Sequence, residues 1–202
     1  MKNHSNNPYV RKMEQAALAY LSVAEENLAA IAKLEAENKA GQHGAATFTD
    51  KLNTLRQQGA DLKGRYIAEL AAIQGRYADA VTAWGRVRGE DLTPDAAILT
   101  SGIKITLEEL ADLADRYKDN YTMTRALLDY AQANRESLTG WQTINFPPTA
   151  EQKIEAMQNI YDFFELVRPD SYQAMFFQDE AAYAERNREL LAIIGTGSEL
   201  AG

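Results

Sequence analysis

The most regular feature of the sequence is a heptad pattern of apolar residues near its beginning. The positions that repeat every seven residues are Val10, Ala17, Ala24 and Ile31. Further apolar residues three and four positions away widen this stripe, as on the buried face of an amphipathic helix. Asn7 before Pro8 is typical of an N-cap with proline at the first helical position. The pattern therefore predicts a helix from Pro8 to Gly41.

A second and longer helix is predicted from Thr47 or Thr49 to about Arg88. Its apolar positions alternate in steps of four and three, which is typical of a coiled coil. They are Phe48, Leu52, Leu55, Gly59, Leu62, Tyr66, Leu70, Ile73, Tyr77, Ala80, Trp84 and Val87. Because only a short glycine-containing segment separates the two helices, we predict an antiparallel coiled-coil hairpin over residues 1–90.

The second predicted helix also carries a stripe of small residues on the side opposite its large apolar ones. The stripe contains Gly64, Ala68, Ala71, Gly75, Ala78 and Thr82. An interior glycine costs a helix about 1 kcal/mol relative to alanine, so the stripe has two interpretations. Either alanine serves helix propensity and the glycines are tolerated, or a further helix approaches closely, from the C-terminal domain or from another subunit. The candidate interaction surface is Gly64, Ala68, Ala71, Gly75 and Ala78 together with Trp84.

Residues 91–195 are predicted to form a compact, acidic and aromatic-rich domain of about five helices. Capping boxes at Thr106/Glu109 and Thr149/Gln152 open two of them. The prolines in residues 140–148 predict an extended strap between these helices. A last helix, capped near Ser171, should end at Gly195, and residues 196–202 are predicted to form a flexible tail. The fold class is therefore all-α: a long hairpin followed by a compact helical domain.

Composition narrows the chemistry and the location of the chain. Its 202 residues contain no cysteine and two histidines, which excludes disulfides and thiolate metal sites and leaves little imidazole chemistry. The longest apolar run is six residues, Ala16 to Leu21, so no membrane span is expected. The polar start also lacks the apolar stretch of a signal peptide. We therefore expect a cytoplasmic protein.

Charge divides the chain into two unlike parts. Residues 1–90 carry 12 basic and 10 acidic side chains, whereas residues 91–202 carry 9 basic and 19 acidic ones. An acidic domain attracts basic surfaces and repels nucleic acid.

One helix of the acidic part carries regularly spaced carboxylates. These are Glu108, Asp112, Asp115 and Asp119, which share one helix face opposite the apolar residues. Such a face binds Mg²⁺ when a second acidic helix faces it, and Glu151 and Glu155 are the nearest candidates for that second set. An acidic stripe opposite an apolar one is also typical of a solvated surface helix, and we favour this interpretation. No metal and no cofactor are predicted.

Basic residues on the second helix do not form a nucleic-acid site. They are Lys63, Arg65, Arg76, Arg86 and Arg88. The spacing of Arg65/Glu69 and of Arg76/Asp79 predicts ion pairs within the helix. Only Arg86 and Arg88 remain uncompensated, which is too little for a phosphate backbone, so nucleic acid is not an expected partner.

One block of the sequence resembles a known class of proteins. It contains Asp95-Ala96-Ala97-Ile98-Leu99, Ser101 to Thr106, Glu109-Leu110, Leu113-Ala114, Tyr117, Asn120, Thr122 to Arg125 and Tyr130-Ala131. This block is similar to a segment of helical proteins from phages and prophages of Gram-positive bacteria. With the preceding coiled coil, it resembles small accessory or assembly proteins of phage particles. The resemblance covers about a fifth of the chain and implies a protein that binds other proteins.

Three functions are compatible with these features. The leading hypothesis is a non-enzymatic interaction protein, a coiled-coil assembly or scaffolding factor of a phage particle, that forms homo-oligomers through the hairpin. It would act in the host cytoplasm or in the virion. The first alternative is a phage-encoded inhibitor that presents its acidic domain to a basic host enzyme. The second alternative is a metal-dependent hydrolase that uses the face around Asp112.

Overall fold

The computed structural model describes residues 5–197 and residue 200. This part of the chain forms eight α-helices and two short 3-10 turns, with no β-strand, so the predicted all-α class is confirmed. The helices are α1 (Pro8–Lys39), α2 (Ala45–Trp84), α3 (Ala96–Thr100), α4 (Leu107–Arg116), α5 (Tyr121–Ala133), α6 (Ala150–Glu165), α7 (Tyr172–Gln178) and α8 (Glu180–Ile194).

The first helix begins where the sequence predicts. The side chain of Asn7 accepts hydrogen bonds from the backbone N–H groups of Tyr9 and Val10, at 2.9 and 3.3 Å, and Pro8 opens the helix. The amide nitrogen of the Asn7 side chain also donates to the carbonyl of Gly195, at 3.3 Å. Gly195 ends α8 with a φ of +72°, as expected for the predicted helix end. The start of α1 and the end of α8 therefore meet at Asn7.

The tail after α8 begins with a close contact. A Cβ on Gly197 would lie 2.9 Å from the Asn7 side-chain nitrogen and 3.1 Å from a Pro8 carbon. Gly197 is therefore placed against the start of α1. The rest of the predicted flexible tail, apart from residue 200, lies outside the described residues.

The two long helices contact each other in antiparallel order. Their contacts include the rings of Tyr9 and Tyr77 (5.3 Å), the stacked rings of Tyr20 and Tyr66 (4.4 Å), and the Asn27 amide with the Leu55 carbonyl (3.1 Å). Residue numbers rise along α1 as they fall along α2, so the two helices run in opposite directions. The coiled-coil geometry itself stays a prediction.

Helix α6 lies along α2 and, with the helices that follow it, forms a third layer beside α1 and α2. The Lys63 ammonium group donates to the carbonyl of Glu165, at 2.6 Å, and the hydroxyl of Tyr66 donates to the carbonyl of Phe164, at 2.7 Å. Farther along α2, the side chain of Gln74 bonds to that of Gln158. This order makes α6 antiparallel to α2. The next helices complete the core with an aromatic cluster of Phe163, Phe164, Phe177 and Tyr183.

The contacts divide the chain into two compact units that are not contiguous in sequence. The first unit contains α1, α2 up to Ala78, and the chain from Ile154 onward, and the second unit spans Asp79–Lys153. This grouping differs from the predicted division between residues 90 and 91. The physical reason is that the aromatic faces of the last three helices are buried with the hairpin. The hairpin domain predicted over residues 1–90 stays a prediction.

The second unit has a core of its own. Its buried residues are Ile105, Leu110, Leu113, Leu127, Ala131 and Leu138, and they pack with Trp141, Ile144 and Phe146 among others. The predicted capping box of α4 is confirmed, with Glu109 accepting from the Thr106 N–H and Thr106 accepting from the Glu109 N–H. The box of Thr149 and Gln152 has the same two bonds.

Three boundaries differ from the predictions. Helix α2 ends at Trp84 instead of Arg88, and the Arg88 N–H donates to the Thr122 hydroxyl, outside the helix. The strap contains a 3-10 turn at Trp141–Thr143, after Gly140 with a φ of +89°. The last predicted helix is two helices, because Asp179 is extended and its carboxylate accepts from the first N–H groups of α8.

Candidate functional site

The small-residue stripe of α2 is exposed. Gly64, Ala68, Ala71 and Gly75 all face solvent, and Ala78 is half-buried. No atom outside the helix lies within 4 Å of a Cβ built on Gly64 or Gly75. Within the described chain, therefore, the C-terminal helices do not cover this stripe. The sequence predicted that a helix from the C-terminal domain or from another subunit would cover the stripe, or that the stripe would simply face water. The structure leaves the second and third of these possibilities.

Trp84 does not belong to this exposed surface. It is half-buried in the second unit, where its ring lies 4.5 Å from that of Tyr121. The Lys153 ammonium group lies 5.3 Å from the Trp84 ring centroid, within the range of a cation–π contact. Gly85, the next residue, packs against Ala150. We therefore remove Trp84 from the candidate interaction surface, because its ring is used to pack the second unit.

Burial changes abruptly along the hairpin. The residues of α1 from Val10 to Ala24 that face the core are buried, as are Tyr66, Leu70, Ile73 and Tyr77 of α2. In residues 25–62, by contrast, Leu34 alone is buried. We call residues 25–62 the distal section. Its seam residues, which include Ile31, Leu52, Leu55 and Leu62, remain half-buried.

The distal section begins where α6 ends. Lys63 donates to the carbonyls of Glu165 and Val167, at 2.6 and 3.2 Å, so its ammonium group satisfies carbonyls that the end of α6 leaves open. The ammonium group also lies 5.3 and 5.0 Å from the rings of Tyr20 and Tyr66. Burial lowers the pKa of Lys63, and the nearby Glu165 carboxylate opposes this effect. Lys63 therefore binds the end of α6 directly beside the distal section.

A polar contact joins the two helices inside the distal section. The Asn27 side chain donates to the carbonyl of Leu55, at 3.1 Å. A Cβ on Gly59 would lie 3.0 Å from the oxygen of the same side chain, so the glycine allows the amide to approach α2. A single polar residue in an apolar seam fixes the register of paired helices. Asn27 is not among the residues predicted from the sequence, although it lies seven residues from both Tyr20 and Leu34 on the same face.

One side of the distal section contains a groove of about 490 Å³, which we call the hairpin groove. Its lining residues are Ala30, Lys33, Leu34, Glu37, Asp50, Lys51, Thr54, Leu55 and Gln58. The rim thus carries two basic and two acidic side chains around an apolar floor. His43 bonds to the Glu37 carboxylate at 3.0 Å, and this hydrogen bond lowers the pKa of Glu37. Glu37 therefore remains negatively charged at neutral pH.

The four predicted carboxylates of α4 are exposed. Glu108, Asp112, Asp115 and Asp119 lie on the solvent side of the helix, and Asp115 forms an ion pair with Lys118 at 3.2 Å. Glu151 pairs with Arg125 at 3.5 Å. Among residues 5–197, no three histidine, aspartate or glutamate side chains are grouped in a way that could hold a metal ion. The structure therefore leaves these carboxylates as an acidic surface of α4.

The basic residues of α2 are used differently from the prediction. Lys63 binds backbone carbonyls, and Arg76 donates to the carbonyl of Ala72, at 3.1 Å. Neither predicted ion pair, Arg65/Glu69 or Arg76/Asp79, is formed in the described structure. The acceptor for Arg76 is thus the backbone carbonyl four residues earlier in the helix, not the Asp79 carboxylate. No described helix combines the length and the apolar composition that a membrane crossing requires.

Comparison with known proteins gives no family for this chain. It matches no protein-family model, no curated protein and no solved structure. The resemblance to phage accessory proteins therefore stays a prediction.

Proposed function

We propose that this chain is a non-enzymatic protein-interaction protein, an assembly or scaffolding factor that forms oligomers through its helical hairpin. The observation that carries the proposal is the end of burial along the hairpin at Lys63. Beyond it, the two helices of residues 25–62 contact each other but leave their seam half-exposed. Bundles of three or four helices bury such faces, and a helix pair with open apolar faces associates readily.

The exposed stripe of α2 supports the same proposal. Exposed glycine and alanine at helical spacing allow the backbone of a second helix to approach closely, and glycine is otherwise costly in a helix. A Cβ built on Gly64 or Gly75 meets no atom within 4 Å, and Ala71 between them is exposed. The resemblance of residues 95–131 to phage proteins favours an assembly that belongs to a phage particle. We place the protein accordingly in the host cytoplasm or in the virion.

Sedimentation velocity of the full chain between about 1 and 100 µM tests the oligomer directly. We expect a mass that rises with concentration above that of the 22.5 kDa monomer. A monomer at every concentration would remove the proposed function.

Cysteine labelling then tests the stripe, because the chain has no cysteine of its own. Ala71→Cys introduces a thiol on the stripe, and Ala72→Cys places one on a neighbouring face that is also exposed. If the stripe is an interface, the maleimide reaction at position 71 slows as the chain assembles, whereas that at position 72 does not. Equal rates at both positions in the oligomer would exclude the stripe from the interface.

A further inference from the structure

We infer that the partner of the distal section is a second copy of this chain, docked on the hairpin groove about a two-fold axis. The inference rests on the proposed function and specifies which surface joins the copies. Its first support is the floor of the groove, where Ala30, Leu34 and Leu55 are apolar. Val23, one heptad before Ala30 on the same face of α1, is 48% exposed and extends this apolar surface.

The charges on the rim favour a second copy over a foreign helix. A two-fold axis places a surface against itself, so its charges must be self-complementary. The rim carries Lys33 and Lys51 against Glu37 and Asp50, two of each sign. When the groove meets itself, each lysine can face a carboxylate of the other copy. A foreign helix whose charges are mostly of one sign would instead be repelled by as many rim side chains as attract it.

The architecture of the first unit makes this docking possible. Helix α6 ends at Glu165, which contacts Lys63, and Leu34 is the only buried residue in residues 25–62, so the described helices leave the distal section largely uncovered. Two hairpins that dock along this section form a four-helix arrangement. In it, the helices of one copy cover the half-buried seam of the other copy. Asn27 and Gly59 fix the register of α1 against α2, so both copies present the same rim.

Two charge-reversal variants test the inference. Lys33→Glu with Lys51→Glu makes the rim entirely acidic, and Glu37→Lys with Asp50→Lys makes it entirely basic. Because like charges then face each other, we expect each variant alone to dissociate, with the dimer Kd raised on the order of 100-fold. An equimolar mixture of the two variants should form a heterodimer, which native mass spectrometry distinguishes by mass.

A matched control separates the groove from general charge effects. Lys39→Glu with Arg56→Glu changes the net charge equally within the distal section but outside the lining of the groove, and this variant should remain a dimer. Circular dichroism checks that every variant keeps its helix content. Recovery of the heterodimer also excludes misfolding as the cause of dissociation.

The outcomes separate the two proposals. If the wild type is a monomer at 100 µM, the proposed function fails and this inference fails with it. If the wild type is an oligomer and both reversal variants assemble equally well, the groove is not the interface and only the inference fails. If each variant dissociates but their mixture stays monomeric, the charge pairing across the two-fold axis is wrong.

Discussion

One of the bonds that attach α6 to the hairpin comes from a buried hydroxyl group. Tyr66 is 4% exposed, and its hydroxyl donates to the Phe164 carbonyl, at 2.7 Å. Tyr66→Phe removes this bond and keeps the ring that stacks on Tyr20. The Phe164 carbonyl keeps its bond from the Val167 N–H, at 3.0 Å, so it is not left without a donor.

The expected cost of Tyr66→Phe is that of one neutral hydrogen bond, about 1 kcal/mol in the free energy of unfolding. For a chain of this size, such a loss lowers Tm by roughly 2–4 °C. Urea unfolding followed by circular dichroism should show a lower midpoint with an unchanged slope. Tyr66→Ala also removes the ring and should cost roughly 3–5 kcal/mol, which shows that the assay senses this core.

Tyr161→Phe is the matched control for this prediction. Tyr161 is half-buried on α6, and its hydroxyl makes no hydrogen bond in the described structure. Its replacement should change the free energy of unfolding by less than about 0.5 kcal/mol. If Tyr66→Phe and Tyr161→Phe change the free energy of unfolding equally, the bond between Tyr66 and Phe164 does not hold α6 against α2.

Three further predictions concern helix ends. Asn7→Ala should destabilise the chain by about 1 kcal/mol in thermal unfolding, whereas Asn7→Asp, which keeps the cap acceptor and loses the donor to Gly195, should cost less. Asp179→Ala should lower the urea midpoint and raise proteolysis between α7 and α8, and Asp179→Asn should restore both. The hydrogen bonds from Thr106 lower the pKa of Glu109, so this stabilising contribution is present above the ordinary glutamate pKa and is lost as pH falls through the lowered one. Urea midpoints between about pH 5 and 3 should therefore fall less in Glu109→Gln than in the wild type.

The features that the sequence predicted correctly are local. The caps at Asn7 and Thr106 join residues at most three positions apart, so the interacting groups lie within one short stretch of sequence. Asp179 gave a signal of the same kind, an aspartate just before an alanine-rich helical segment. It was missed because the apolar spacing on either side of it fits one continuous helix.

The arrangement of α6 on the hairpin was not predictable in this way. Lys63 and Glu165 are 102 positions apart, and a heptad pattern indicates that a helix face is buried without indicating what covers it. The charge asymmetry suggested that the acidic C-terminal part forms a separate domain. The hydrogen bonds of Lys63 and Tyr66 are made to backbone carbonyls, however, so the distribution of side-chain charge along the sequence does not reveal them.

The different lengths of the helices couple the stability of the distal section to assembly. Helix α6 has 16 residues and α2 has 40, so at about 1.5 Å per residue α6 is too short to cover the whole of the longer helix. Two helices without a third are marginally stable in water.

A second copy that covers the groove would therefore stabilise residues 25–62 selectively. Hydrogen–deuterium exchange should slow there as concentration rises from about 1 to 100 µM, while exchange around the buried Met157 and Ile160 of α6 stays the same. Equal slowing in both regions would mean that assembly stabilises the whole first unit, and no change in either region would mean that the distal section stays open.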